Sequence, residues 1–574
     1  MGLSLIASLL LAGCGGGGGS SGGGGTGGGT LSTPPGAPSG VTATAGNASA
    51  VISFTAPASI GSSAIIDYTA YCSGAGSSAT GSGAGSPIAV SGLTNGSAYS
   101  CTVTARNAAG SGTPSSAVSV TPVASVASCN LTDRKNWAVA QLREWYLFPE
   151  TLPATIDVNA YPTVDAVIDA MTAGARAQNK DRYFTYLTSI AQENAYISSG
   201  ATAGFGMRLY TDTVGKRVFV TEAFENTPAL AAGIDRGDEL LAVGTSVATL
   251  RLVSDILTTD GSAGVSTALG PSTAGTTRVL RVKGAAGTRE LTVTKADYNL
   301  DPVSTRYGGV TLSDSGKSVG YINLRTFIAS ADARLREEFL KFRNAGITEV
   351  IVDFRYNGGG LVSTGELLGN LLGGNRNSTQ LFSQISFRPE KSVNNTVSYF
   401  TVQPQSVSPT KLAFIGTRGT ASASEMVING LVPYFNANLA LVGENTYGKP
   451  VGQIALDRAA CDDRLRVIAF SLRNSANSDA YFNGLAGAVK ASCTAIDDVT
   501  KPLGTVGEAS IRQALDFLAG KSCTAISPAP VAGAAAAERR KALAAQYPDR
   551  VGLDLEPLVG DDPGPAQRDL PGLF

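Results

Sequence analysis

Three short apolar runs constrain the larger part of this chain. VIV at 350–352, ahead of Asp353, LAFIG at 412–416 and LALVG at 439–443, ahead of Glu444, are each continuously apolar, and each leads into glycine or a turn. They read as buried strands. GYINLRTF at 320–327 reads as another, followed by a helix through Leu335, Phe339 and Phe342. Strands in series with helices between them argue for an α/β core over 298–525. That core cannot absorb 574 residues, so several domains are expected.

The rest of the chain changes character segment by segment. Residues 1–14, MGLSLIASLLLAGC, are apolar and end in small residues before Cys14, although no Lys or Arg precedes the apolar stretch. Residues 15–35 begin with a nearly pure glycine run that cannot bury apolar surface and reads as a tether. Over 36–123 the pattern has period two. Ala50, Ile52 and Phe54 alternate with Val51 and Ser53, Ile66 shares a face with Tyr68, Ala70 and Cys72, and Tyr99 with Cys101, Val103 and Ala105. Alternation broken by turn clusters predicts a β-sandwich. Residues 124–200 carry helical spacing, with Trp137, Leu142 and Trp145 on one face and Val164, Val167, Ile168 and Met171 on another. Residues 201–297 read as strand, short helix, Gly-Ile turn and strand. Residues 526–574 are rich in Ala and Pro and read as a poorly ordered tail with one possible helix, 534–545.

Charge excludes some partners. Lys and Arg number 44 against 45 Asp and Glu, so nothing points to nucleic acid. No apolar run is long enough to span a bilayer.

The chain has no histidine, so no imidazole can activate a hydroxyl. A serine nucleophile here needs another base. Ser422 sits between small residues at the start of a helical run through Glu425, Ile428 and Leu431. Lys449 follows 27 residues later in a Gly-rich turn, and Gln453 four residues after that. An ordinary lysine is protonated at neutral pH, so its pKa must fall from ~10.4 to about 7–8. A fall of that size disfavours the ammonium by about 4 kcal/mol, which burial can supply. The partner that orients it must then be neutral, as Gln453 is. At a helix start the amide of Ala423 is free to face an oxyanion. The glycines after Asn357 let a second amide approach, from Gly358 or Gly359. Ser424 is the weaker candidate nucleophile and suits a role at the helix start beside Glu425. Asp353, Arg355 and Glu444 read as structural.

Several motifs carry resemblances. SASE at 422–425, GENTYGK at 443–449 with Gln453, GYINLRTF and DFRYNGGG resemble the C-terminal processing, or tail-specific, serine peptidases. That resemblance implies a Ser422–Lys449 dyad assisted by Gln453, an oxyanion site at Ala423 with Gly358 or Gly359, and an inserted PDZ domain. GFGMRLY at 204–210 with the 219–245 segment is similar to such a PDZ domain. Backbone amides around Phe205, Gly206 and Met207 would hold a C-terminal carboxylate there, the peptide adding as a strand. The run 92–110 resembles the end of a fibronectin type III domain, with Tyr99 as its corner tyrosine. The 1–14 segment resembles a lipoprotein leader, which implies acylation of Cys14 and an exported, membrane-anchored protein, with the outer membrane favoured.

The expected fold is therefore multidomain: fibronectin-like β-sandwich, helical segment, PDZ-like α+β domain and α/β catalytic core. The expected function is an endopeptidase acting on proteins or peptides with free C-terminal tails, without metal or cofactor. The alternative is a catalytically silent binding or scaffold lipoprotein that uses the fibronectin-like and PDZ-like domains. Six cysteines remain after Cys14, an even number that suits an exported, disulfide-bonded protein. Cys72 with Cys101 is expected between neighbouring strands, Cys461 with Cys493 is the preferred second bridge, and Cys129 with Cys523 the third.

Overall fold

A computed structural model of the chain describes residues 32–74, 76–123, 129–527, 555–559 and 563–574. Cys14 and the possible helix at 534–545 lie outside the described residues. The chain divides into two compact units, Met1–Ala127 and Ser128–Phe574.

The first unit is a β-sandwich. One sheet holds Ser39–Gly46, Ser49–Thr55 and Ile88–Ser91. The other is built on Ile65–Gly74 and Tyr99–Asn107. The alternating residues read from sequence fill the space between them, from Ala50, Ile52 and Phe54 to Tyr99, Cys101 and Val103. The Tyr99 hydroxyl accepts the Thr94 amide at 3.0 Å, the corner contact its position suggested. Ile66 departs from the expected face. It is the extra residue of a bulge between Ile65 and Asp67, and 54% of it is exposed. Cys72 and Cys101 pair directly across the two strands and are bridged.

In the second unit, helices Leu131–Trp145 and Val164–Ala177 pack their apolar faces on the hairpin Val451–Arg458 and Asp463–Arg473. An antiparallel sheet follows, with Met207–Asp212 towards one side and Arg217–Ala223, Glu239–Gly244, Thr277–Gly284 and Gly287–Thr294 beyond it. Helices Val253–Thr259 and Gly261–Leu269 cover its core. The central six-stranded sheet runs in the order Gly309–Asp314, Lys317–Asn323, Glu349–Asp353, Lys411–Gly416, Leu439–Gly443, Ala491–Thr494. All its pairings after the first are parallel. Helices Ala331–Asn344, Val362–Leu372 and Ala423–Phe435 pack on one face, and Ala509–Leu518 on the other. The buried strands are those of the three apolar runs, as parallel strands covered on both faces require.

Two expectations need correction. The remaining disulfides are Cys129–Cys461 and Cys493–Cys523, each with Cα atoms 5.4 Å apart. Cys461 closes the long hairpin against which the first helix begins, so it meets Cys129. Cys493 lies on the edge strand Ala491–Thr494 beside the returning 521–527 segment, so it meets Cys523. Nor is the tail a single unstructured stretch, because 555–559 and 563–574 pack into the second unit. Glu556–Pro557 pairs with Tyr210 and Thr211, and Leu573 and Phe574 are buried.

Candidate active site

Three loops leave the same edge of the central sheet because their strands are adjacent and parallel. Asp353 pairs with Ile415, and Gly416 with Gly443. The loops therefore converge where α/β sheets gather their sites. The first carries Asn357–Gly360, the second leads to Ser422, and the third carries Lys449.

Side chains and amides stitch the first two loops together. Thr420 Oγ1 donates to the Phe354 carbonyl at 2.8 Å. The Ala421 amide and Ser424 Oγ both donate to the Asn357 carbonyl, at 3.0 and 3.1 Å. Ser424 is thus a buried brace. Ser422 caps the helix Ala423–Phe435 with φ 55° and ψ −114°, a conformation that is strained for any residue with a Cβ. Gly359 lies against it, and a Cβ there would come within 2.7 Å of Ser422 Cβ. The Gly359 amide donates to Asn357 Oδ1 at 2.9 Å and is used up inside the loop. The Gly358 amide donates to the Asp569 carbonyl at 2.8 Å.

Glu425 binds the second loop to the third. Its buried carboxylate accepts Thr446 Oγ1 at 2.6 Å and the amide of Gly448 at 2.7 Å. Its Oε2 accepts the amides of Ser422 at 3.1 Å and Lys449 at 2.7 Å. Two nitrogens bonded to one oxygen cannot lie farther apart than the two bonds combined, about 5.8 Å here. Burial pushes this carboxyl upward while its four donors pull it down, and burial is the larger effect.

The half-buried Lys449 ammonium donates to Gln453 Oε1 at 2.9 Å rather than to Ser422 Oγ, and lies 4.8 Å from the centre of the Phe184 ring. Gln453 Nε2 in turn donates to the Phe184 carbonyl. Loss of hydration lowers the Lys449 pKa to about 8, against the upward pull of Asp569 and Asp181. Phe184 is itself placed by Asp181, whose buried carboxylate accepts its amide at 2.7 Å. The helical segment thus supplies one wall of the lysine pocket.

The strand Met207–Asp212 offers a second set of donors. The amides of Gly206 and Met207 donate to the Phe574 carbonyl oxygen at 2.9 and 3.2 Å, whereas the Phe205 ring belongs to the domain core. Gly206 has φ 77°, and a Cβ would stand 2.2 Å from Thr227. From this strand Arg208 reaches the start of the Asn357–Gly360 loop, donating to the Tyr356 carbonyl at 2.7 Å.

Sequence reasoning missed three contributors. Glu425 carried a signal, the Ser-x-x-Glu spacing of a capping box. Phe184 and Asp181 carried none, because they reach Lys449 and Gln453 from more than 250 residues away in the chain.

Residues 318–475 match the family model described as Peptidase family S41, and residues 36–121 the Fibronectin type III domain. Residues 318–475 are thus similar to S41, C-terminal processing peptidases, and residues 36–121 to fibronectin type III domains. A chloroplastic C-terminal processing peptidase of Tetradesmus obliquus is 28% identical over 272 residues, 45% of this chain and 54% of that protein. A carboxyl-terminal-processing protease of Synechocystis is 27% identical over 261 residues, covering 44% and 54%. The chain spans about half the length of these curated relatives. The crystal structure of a putative S41 protease from Bacteroides fragilis superposes with TM-score 0.52 at 21% identity, covering 67% of this chain and 97% of that one, a likeness of fold.

Proposed function

We propose that the protein is a serine endopeptidase with a Ser–Lys dyad, acting on proteins or peptides captured by their C-terminal tails. The observation that carries this reading is the setting of Lys449. It rests on a neutral amide, its pKa is drawn to about 8 by burial, and its main chain shares one Glu425 oxygen with that of Ser422.

The neutral amine of Lys449 takes the Ser422 proton as the hydroxyl attacks the scissile carbonyl. The amides of Gly358 and Ala423 receive the oxyanion once the Asp569 carbonyl has left Gly358, the Gly359 amide being held within its own loop by Asn357. Lys449 then returns the proton to the leaving amine. Water, deprotonated by the same amine, releases the acyl group and regenerates the serine. Gln453 orients the amine without adding a charge that would hold its proton.

The domain built on Met207–Asp212 takes the role of a PDZ domain, with the amides of Gly206 and Met207 receiving a chain end and the strand edge receiving its backbone. Three disulfides suit an exported protein, and a lipid on Cys14 would anchor it to a membrane, the outer one favoured. Casein and a tailed reporter, incubated with wild type, Ser422→Ala and Lys449→Ala, test the reading, with product masses to show peptide-bond cleavage. Turnover by wild type alone supports it. Equal turnover by the Lys449 variant refutes it.

A further inference from the structure

The strand edge and the oxyanion amide are both occupied by one segment of the same chain. The Phe574 amide donates to the Met207 carbonyl at 2.9 Å and the Leu209 amide to the Gly572 carbonyl at 2.8 Å, with Arg208 opposite Leu573 in antiparallel register. This is strand addition. The Phe574 ring, 5% exposed, joins the core beneath Val253, Ile256 and Leu269. Ala566, Leu570 and Leu573 pack with Tyr196, Phe224 and Ile328. Four residues before Gly572 the chain turns back to the catalytic loops, where the Arg568 guanidinium lies 3.8 Å from the Tyr186 ring centre. The Asp569 carbonyl accepts the Gly358 amide at 2.8 Å.

We infer that residues 563–574 are a tethered ligand that fills the peptide groove and caps the oxyanion amide, holding the site closed to other chains. Its shape is that of a block. Pro565–Asp569 is a helical turn, closed by the Leu570 amide on the Ala566 carbonyl at 2.9 Å. A chain presented for cleavage by strand addition would be extended at this point. The charge of Asp569 also favours the protonated, inactive form of Lys449. The effect on turnover rests on the peptidase reading, whereas occupancy of the groove rests on these contacts alone.

The test uses the full chain in a Ser422→Ala background, the same protein lacking 563–574, and a fluorescent peptide Gln-Arg-Asp-Leu-Pro-Gly-Leu-Phe. A tether supplies an effective concentration of roughly 1 mM. A free peptide with a Kd of tens of micromolar is then outcompeted by about tenfold to a hundredfold. Removing the segment tightens apparent peptide affinity at least tenfold, and Leu573→Glu with Phe574→Glu in the full-length chain does the same. Hydrogen exchange at the Met207 and Leu209 amides accelerates in both variants. Equal affinities, or unchanged exchange, overturn the inference. So does rapid loss of 570–574 from the chain with Ser422 intact, which would make the segment a substrate. If the shortened protein binds peptide more tightly, yet its counterpart with Ser422 intact cleaves nothing, the peptidase reading fails and the tethered ligand stands.

Discussion

Replacing Gln453 with glutamate changes one atom type beside the lysine and places a carboxylate where the neutral amide now accepts at 2.9 Å. Two unit charges at that distance attract by roughly 1.4 kcal/mol in water and about 6 kcal/mol at an effective dielectric constant of 20. The site is half-buried, so the gain lies between those limits. Divided by 1.36 kcal/mol per pKa unit, it raises the lysine by about one to four units. The sign is fixed, because a neighbouring anion stabilises the ammonium and the neutral amine is the active form. In the wild type activity rises with pH through about 8. In Gln453→Glu the rise moves up by at least one pH unit, and kcat/KM at pH 7 drops at least tenfold but recovers in strong base. Gln453→Met, which removes the hydrogen bond without adding charge, leaves the rise near or below its original position. A pH–rate profile on a tailed peptide reads all three. An unmoved profile in Gln453→Glu would refute the claim that a neutral partner poises Lys449.

Further outcomes follow from the same contacts. Lys449→Ala lowers kcat by about 10² to 10⁴, the range for losing a general base, with an unchanged melting temperature. Glu425→Ala strands several buried donors and costs at least about 3 kcal/mol in urea unfolding, and it loosens both catalytic loops. Gly359→Ala puts a methyl group against Ser422 at a backbone φ of 117°, so activity falls far more than circular dichroism changes. Cys493→Ser with Cys523→Ser opens a loop of 30 residues and lowers stability by about 3 to 4 kcal/mol in denaturant titration.

The sequence was most legible where side-chain pattern and burial coincide. Ala50, Ile52 and Phe54 alternate because a sandwich buries one face, and the apolar runs around Val352, Phe414 and Leu441 are continuous because parallel strands are covered on both. Ser422 could be set at a helix start from its small neighbours and Glu425. Pattern failed where main chain or distant segments decide. Ile66 is expelled by a bulge that no side chain announces. Cysteine pairing depends on which loops return to one place. The 563–574 segment is rich in Pro and Gly and lacks periodicity, yet it is held through backbone addition to a strand edge and a few buried residues. Phe184 became part of the lysine pocket only through tertiary folding.

The central claim is that the Ser422 hydroxyl is made nucleophilic by Lys449. A fluorophosphonate probe, followed by peptide mapping of the labelled protein lacking 563–574, measures this without a substrate. The account predicts a single adduct on Ser422, forming faster as pH rises through the range where Lys449 loses its proton and at least a hundredfold slower in Lys449→Ala. An adduct elsewhere, or equal labelling of Ser422 after Lys449 is removed, would contradict it.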